Sequence, residues 1–181
     1  MDEQSNEAGF SYVDVMIAIT ILLVGVMAML SAITSGIVMT TTSQQQLAAK
    51  QYAQSTIESI FSARDLDALG WDAIGNVGDT NIPGGVFLAG DLKFYSTAGP
   101  DGVVGTADDA AGSDGTVGTS DDAPAVDAFT RQITITDIPD PDRPSAAISL
   151  RQIDVTISYK LGKSVYRETM TSYVANYRTK D

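Results

Sequence analysis

The chain contains neither cysteine nor histidine. Without cysteine there is no disulfide framework and no thiol nucleophile, although secreted proteins can also lack disulfides, so the compartment stays open. Without histidine there is no Ser-His-Asp triad, no imidazole base, and none of the commonest zinc sites. Bases are scarce too: 11 Lys and Arg stand against 23 Asp and Glu, giving a net charge of −12. No basic stripe is available to neutralise phosphates, so direct nucleic-acid or anionic-lipid binding is not expected. A G-x-S-x-G elbow and a P-loop are likewise missing. The expectation is a protein that is not an enzyme.

What the chain does have is one long apolar run. From Val15 to Met39 there is no Asp, Glu, Lys or Arg. Those 25 residues, at about 1.5 Å each, would span roughly 37 Å as a helix, enough for a bilayer core of about 30 Å. The remainder, roughly 140 residues, suffices for one small core. A secretory signal does not fit: the leader Met1–Gly9 carries Asp2, Glu3 and Glu7 and no base, and the apolar run is too long. A plain single-span anchor accounts for the length but leaves Gly9-Phe10 and Asp14 unexplained.

The stretch Gly9-Phe10-Ser11-Tyr12-Val13-Asp14 ahead of the apolar run resembles the N-terminus of type IV prepilins and type II secretion pseudopilins, roughly G-F-[ST]-L-[IV]-E. The resemblance implies that residues 1–9 are a leader, that a prepilin peptidase cuts between Gly9 and Phe10, and that the new Phe10 amine is methylated. It also implies that Asp14 pairs with the Phe10 amine of a neighbouring subunit. The alternative is that Asp14 simply caps the helix at the membrane surface, favoured by the macrodipole and the free N–H groups there. Two departures stand out: Asp14 occupies a position usually held by Glu, and the leader is acidic, so it lends no support to an N-inside orientation. Implied partners are other pilin or pseudopilin subunits, the inner-membrane assembly machinery, and membrane lipid before assembly. The implied location is the bacterial cell envelope: a single pass through the inner membrane, a periplasmic or extracellular globular domain, then a filament. Ala28, Ala32 and Gly36 recur every four residues with Gly25 near the same face, which suits close helix approach or merely reflects membrane-helix composition.

Nothing breaks the helix after Met39. Residues 10–39 are expected to form its apolar half and 40–69 an amphipathic half. Ala49, Ala53, Ile57, Ile60 and Phe61 mark one face, and Gly70 is the expected stop, with Asp65-Leu66-Asp67 as the alternative point of fraying or re-capping. One helix from about Ser11 to Ala63 would be near 80 Å long. The text "LAAKQYAQSTIESI" resembles the corresponding stretch of minor pilins and minor pseudopilins. Over 70–181 the period becomes that of strands: 84–96, 128–138, 147–161 and 163–177. Phe129, Ile133 and Ile135 leave room for a bulge or a short strand in the second segment. Ile153, Val155, Ile157 and Tyr159 alternate cleanly, and Leu161-Gly162-Lys163 signals a tight hairpin. The expected fold is α+β, a long N-terminal helix packed on an antiparallel sheet of about four strands.

Between the first two strand segments lies a duplication, "GPDGVVGTADDAA" (99–111) followed by "GSDGTVGTSDDAP" (112–124). Each copy reads G-x-D-G-x-x-G-T-x-D-D. Asp101, Asp108, Asp109, Asp114, Asp121 and Asp122 sit among glycines that permit sharp turns. Short carboxylates and exposed carbonyls are hard donors suited to Ca²⁺, although the spacing is not that of an EF-hand. The expectation is one or two Ca²⁺ ions, against a flexible acidic surface loop. In function, the expectation is a minor pilin or pseudopilin subunit of a type IV pilus-like or type II secretion-like filament. Its rival is a single-span anchored calcium-binding or adhesive module that forms no filament.

Overall fold

The structure is a computed structural model, and it describes residues 11–95, 97–112, 114–143 and 145–176. One helix, α1, runs Tyr12–Asp65. The chain falls into two compact units, Met1–Gln44 and Gln45–Asp181.

The first unit is the apolar part of α1. Its large apolar side chains between Tyr12 and Met39 are all 46–78% exposed. The segment is long and apolar enough to cross a membrane. In such a medium hydroxyls need partners within the helix. Thr20, Thr34, Thr40, Thr41, Thr42 and Ser43 each donate to the carbonyl four residues back, at 2.8–3.0 Å. A Cβ added at Gly25 or Gly36 would meet nothing within 4 Å.

The second unit holds the core. Here α1 buries Ala49, Ala53, Thr56, Ile57, Ile60 and Ala63, spaced by threes and fours along one face. Phe61, expected on that face, is only half-buried. The strands are β1 (Leu92–Tyr95), β2 (Ala125–Ile138), β3 (Leu150–Leu161) and β4 (Ser164–Ala175), an antiparallel meander in that order. The helix face packs with Phe129, Ile133 and Ile135 of β2, Ile153, Val155 and Ile157 of β3, and Val174 of β4. Removing each such side chain from water contributes about 1.5–3 kcal/mol. Tyr52 of α1 meets Phe129 edge-on at 5.2 Å, and Phe129 in turn lies 5.8 Å from Tyr159. The final hairpin forms as expected: Leu161 pairs with Ser164 across Gly162-Lys163, and Gly162 takes φ 61.

Three details differ from the sequence reading. The segment 128–138 is part of one 14-residue strand rather than a short one, with Phe129, Arg131, Ile133 and Ile135 all buried; the irregularity expected there occurs in its pairing with β1, where the register shifts between Lys93 opposite Thr130 and Tyr95 opposite Ala125. Arg131 at an inward position hides the alternation. Among the described residues of 84–96, only Leu92–Tyr95 is strand. Gly90 at φ 96 breaks the run, although Phe87 still enters the core through a bridge to Asn76. Gly70 does not stop the helix; the alternative point does, with α1 ending at Asp65 and Asp67 left-handed at φ 55.

Candidate functional site: the Gly/Asp repeat and the inward arginines

Gly9 and Phe10 lie outside the described residues. Asp14 is described, in the first turn of α1. Its Oδ2 accepts the Ser11 N–H at 3.3 Å, while the Ser11 hydroxyl accepts the Val13 N–H at 3.4 Å. This reciprocal arrangement is a capping box with Asp in place of Glu, and it satisfies two of the donors that a helix start leaves free.

The two copies of the repeat share a pattern of hydrogen bonds. In the first copy the Asp101 N–H donates to Asp108 Oδ2 at 3.2 Å, and the Val103 N–H to Asp101 Oδ1 at 2.8 Å. The Thr106 hydroxyl donates to the Val103 carbonyl at 3.0 Å and to Asp108 Oδ1 at 2.6 Å. The Gly105 N–H donates to Asp109 Oδ2 at 2.8 Å. In the second copy the same five contacts recur: Asp114 to Asp121 at 3.2 Å, Thr116 to Asp114 at 2.7 Å, Thr119 to Thr116 at 3.0 Å and to Asp121 at 2.7 Å, and Gly118 to Asp122 at 2.7 Å. The first glycine of each copy is required by close approach. A Cβ at Gly99 would sit 2.5 Å from the Asp108 carbonyl oxygen, and one at Gly112 would sit 2.1 Å from that of Asp121. The copies are joined one period apart, by the Ala123 N–H on the Ala110 carbonyl at 3.1 Å.

The copies differ in what covers them. Val103, Thr106, Asp109 and Ala111 of the first are buried. A Cβ at Gly105 would meet Ile133 Cδ1 at 2.3 Å, so β2 presses directly on that glycine. Arg131 pairs with Asp109 there, both side chains 4% exposed. Burial pulls the Arg131 guanidinium below its ordinary value, and the Asp109 carboxylate opposes the shift. In the second copy Gly118 faces open space and Asp122 is half-buried. No Lys or Arg among the described residues pairs with Asp122. A cavity of about 310 Å³ lies beside the ion pair, lined by Leu92, Tyr95 and Val117 among others.

The six expected calcium donors are thus divided rather than gathered. Among the described residues, no group of three or more acidic side chains is placed to hold a metal ion. Asp109 is committed to Arg131 and to the Gly105 and Thr106 amides. Asp101 with Asp108, and Asp114 with Asp121, remain as two carboxylate pairs. Partial desolvation lifts Asp101 above its ordinary value, and the neighbouring Asp108 and Asp109 charges add to the rise, against hydrogen bonds from the Val103 amide and Thr106. A cation would relieve that repulsion.

Two further polar groups escape a sequence reading. Arg151 on β3 donates through Nε to Asp137 at 2.7 Å and reaches the Trp71 and Ile74 carbonyls, its guanidinium 4.3 Å from the Trp71 ring centre. It pins the turn Trp71–Ala73 against the sheet. Asn76 lies along the β2 edge, donating to the Ile133 carbonyl and accepting the Ile135 N–H, both at 2.8 Å. It supplies the hydrogen bonds that short β1 does not extend far enough to make. The available signal was parity: Arg131 and Arg151 both fall on the core-facing phase of their strands.

Compared with protein-family models, with curated proteins and with solved structures, the chain matches none.

Proposed function

We propose that this chain is a structural subunit, a minor pilin or pseudopilin, of a type IV pilus-like or type II secretion-like filament in the bacterial envelope. The observation that carries the reading is the division of α1. Its charge-free half exposes every large apolar side chain, while its second half is packed on a four-stranded meander. The Thr20 and Thr34 hydroxyls of the first half are bonded within the helix and its Gly25 and Gly36 face open space, which suits lipid first and other helices afterwards. Gly9-Phe10 is the processing point, the Phe10 amine the methylation site, and Asp14 the charge that registers one subunit against the next. Its carboxylate reaches back to the Ser11 N–H, one residue from that amine. The globular unit faces the periplasm or the outside, and no catalytic step is assigned to it.

Mass spectrometry of the purified protein tests the processing. An N-methylated Phe10 terminus is expected, and an intact Met1 would favour the rival non-filamentous anchor. Gly9→Lys is expected to block leader removal, whereas Asp14→Ala is expected to leave it intact and abolish incorporation into filaments. Equal filament content in the Asp14→Ala strain and the wild type would remove the registration role.

The calcium expectation narrows to the Asp101–Asp108 and Asp114–Asp121 pairs, with carbonyls and water completing six to eight oxygens. Thermal unfolding with and without millimolar Ca²⁺ tests it. A rise in Tm that Asp108→Asn reduces is expected, and an unchanged Tm would assign these acids to backbone capping alone.

A further inference from the structure

We infer, on the reading of Val15–Met39 as the membrane-spanning part, that the β3–β4 hairpin is a lipid-contact surface seated on anionic phospholipid headgroups. No basic stripe exists in the sequence, yet the meander collects four bases at one end of the second unit. Lys93 of β1 is opposite Thr130, Thr130 opposite Ser158, and Ser158 opposite Arg167, so Lys93 and Arg167 stand in one row across the sheet. Lys160 is two residues from Ser158 on the same face, and Lys163 is in the turn. All four are exposed. Among the described residues, Lys93, Lys160 and Lys163 pair with no carboxylate, and Arg167 comes only within 3.9 Å of Asp91. Arg64, Arg131, Arg143 and Arg151, by contrast, are each held by an aspartate. Asp91 and Asp127 reduce the charge at this end without cancelling it, and Glu168 turns to the other face, onto Gln46. Beyond about 8 Å, salt screens the remaining acids of the chain.

The hairpin is also at the end where the chain enters the unit. Gln46, the second residue of the unit, donates to Glu168 of β4 at 2.9 Å. Arg64 and Asp65, where α1 ends, line a cavity of about 800 Å³ together with Ala175 and Asn176, where β4 ends. β4 therefore runs alongside the helix in the same direction. Its first residue, Ser164, lies about 13 Å before Glu168, at about 3.3 Å per residue, on the side from which Gln46 is reached. Seven residues lead from Met39 to Gln46, at most about 25 Å of chain, so the unit cannot stand far from the bilayer surface. The tip suits that surface. Val165 and Tyr166 are exposed between Lys163 and Arg167. The Tyr166 ring is stacked on Tyr159 with centres 5.7 Å apart, which holds it in place. A tyrosine fits the headgroup level, and lysine stems lie along apolar surface while the ammonium stays in water. Each base near an anionic surface strengthens the contact about fivefold.

The test places the full ¹⁵N-labelled chain in lipid nanodiscs of phosphatidylcholine alone or mixed with phosphatidylglycerol. A trace lipid carries gadolinium on its headgroup, and amide NMR reads which signals it broadens. In the anionic discs Gly162, Lys163 and Tyr166 are expected to broaden, with Val155 in the centre of the sheet unaffected. In the neutral discs the hairpin effect should fall about fivefold or more. The variant combining Lys160→Gln, Lys163→Gln and Arg167→Gln, all at exposed positions, should behave in anionic discs as the wild type does in neutral ones. Equal broadening in the two lipids, or an unchanged response of the variant, would overturn the proposal. A second label, a nitroxide on the acyl chain, reports on the helix. Broadening over Val15–Met39 with a silent hairpin would reject the hairpin contact alone. No broadening there would reject the membrane-spanning reading, and the hairpin contact with it.

Discussion

Arg131 of β2 and Asp109 of the first repeat copy form an ion pair with both side chains almost wholly out of water. The pair fastens an irregular, glycine-rich loop to the middle of the sheet. Removing one partner of such a pair leaves the other charge buried and costs about 3–5 kcal/mol. Asp109→Ala is therefore expected to lower stability by about that amount. Asp122→Ala, at the same place in the other copy but half-buried and with no Lys or Arg among the described residues paired to it, should cost about 1 kcal/mol. Denaturant unfolding of the two variants side by side is the measurement, and equal losses would mean that the first copy is not anchored by its arginine.

Asp101 sets a pH dependence of unusual sign for a carboxylate. Its folded value lies above the ordinary 3.8, chiefly through desolvation, with Asp108 and Asp109 adding to the rise. The stability it contributes is present below about pH 3.8 and is lost as pH rises through the folded value. Asp101→Asn cannot ionise and keeps an oxygen for the Val103 amide. It should be more stable than wild type at pH 7 and equal to it near pH 3. A variant less stable at neutral pH would show that the hydrogen bond to Val103 outweighs the repulsion.

Asn76→Ala tests the edge clasp on β2. It strips partners from the Ile133 carbonyl and the Ile135 N–H. A loss of about 1–3 kcal/mol is expected if neither group finds water. Hydrogen exchange should locate the effect, with faster exchange at Ile135 and little change at Val155 in the centre of the sheet.

Asp67 ends the helix in the left-handed region. Aspartate tolerates this conformation and a β-branched residue does not. Asp67→Val is expected to cost about 1–2 kcal/mol, while Asp67→Gly should be close to neutral. The melting temperatures of the two variants decide it, and equal ones would mean that the backbone relaxes out of this region.

The long helix, the meander and the final hairpin were legible because their signals are local. A charge-free run, an alternation and a Gly162 turn can each be read within a dozen residues. The inward face of α1 was legible at Ala49, Ala53, Ile57 and Ile60 for the same reason. β2 was misjudged at one residue: Arg131 breaks its apolar alternation, and only the Asp109 carboxylate, far off in sequence, makes that position tenable. The duplication was visible, yet identical sequence concealed unequal surroundings. Which copy is covered depends on where β2 lies. Asn76 left no trace in the pattern, because an asparagine completing a strand edge reads like any loop residue. At the helix end, of the two terminators the sequence offers, Gly70 and the Asp65-Leu66-Asp67 stretch, the second is used, with Asp67 left-handed.

The amide of Ala123 on the carbonyl of Ala110 joins one copy to the next at the spacing of the repeat itself. A chain built this way can grow by whole periods. Lengthening a loop costs only about 0.6 kcal/mol per doubling, and since β2 begins at Ala125, directly after the second copy, an added thirteen-residue unit has to return the chain to that point. The fold thus separates a fixed part, set by one arginine and one strand, from a part whose length and outward-facing copies are free to diverge. In an assembly of related subunits, that is where identity could change without disturbing the packing of the rest.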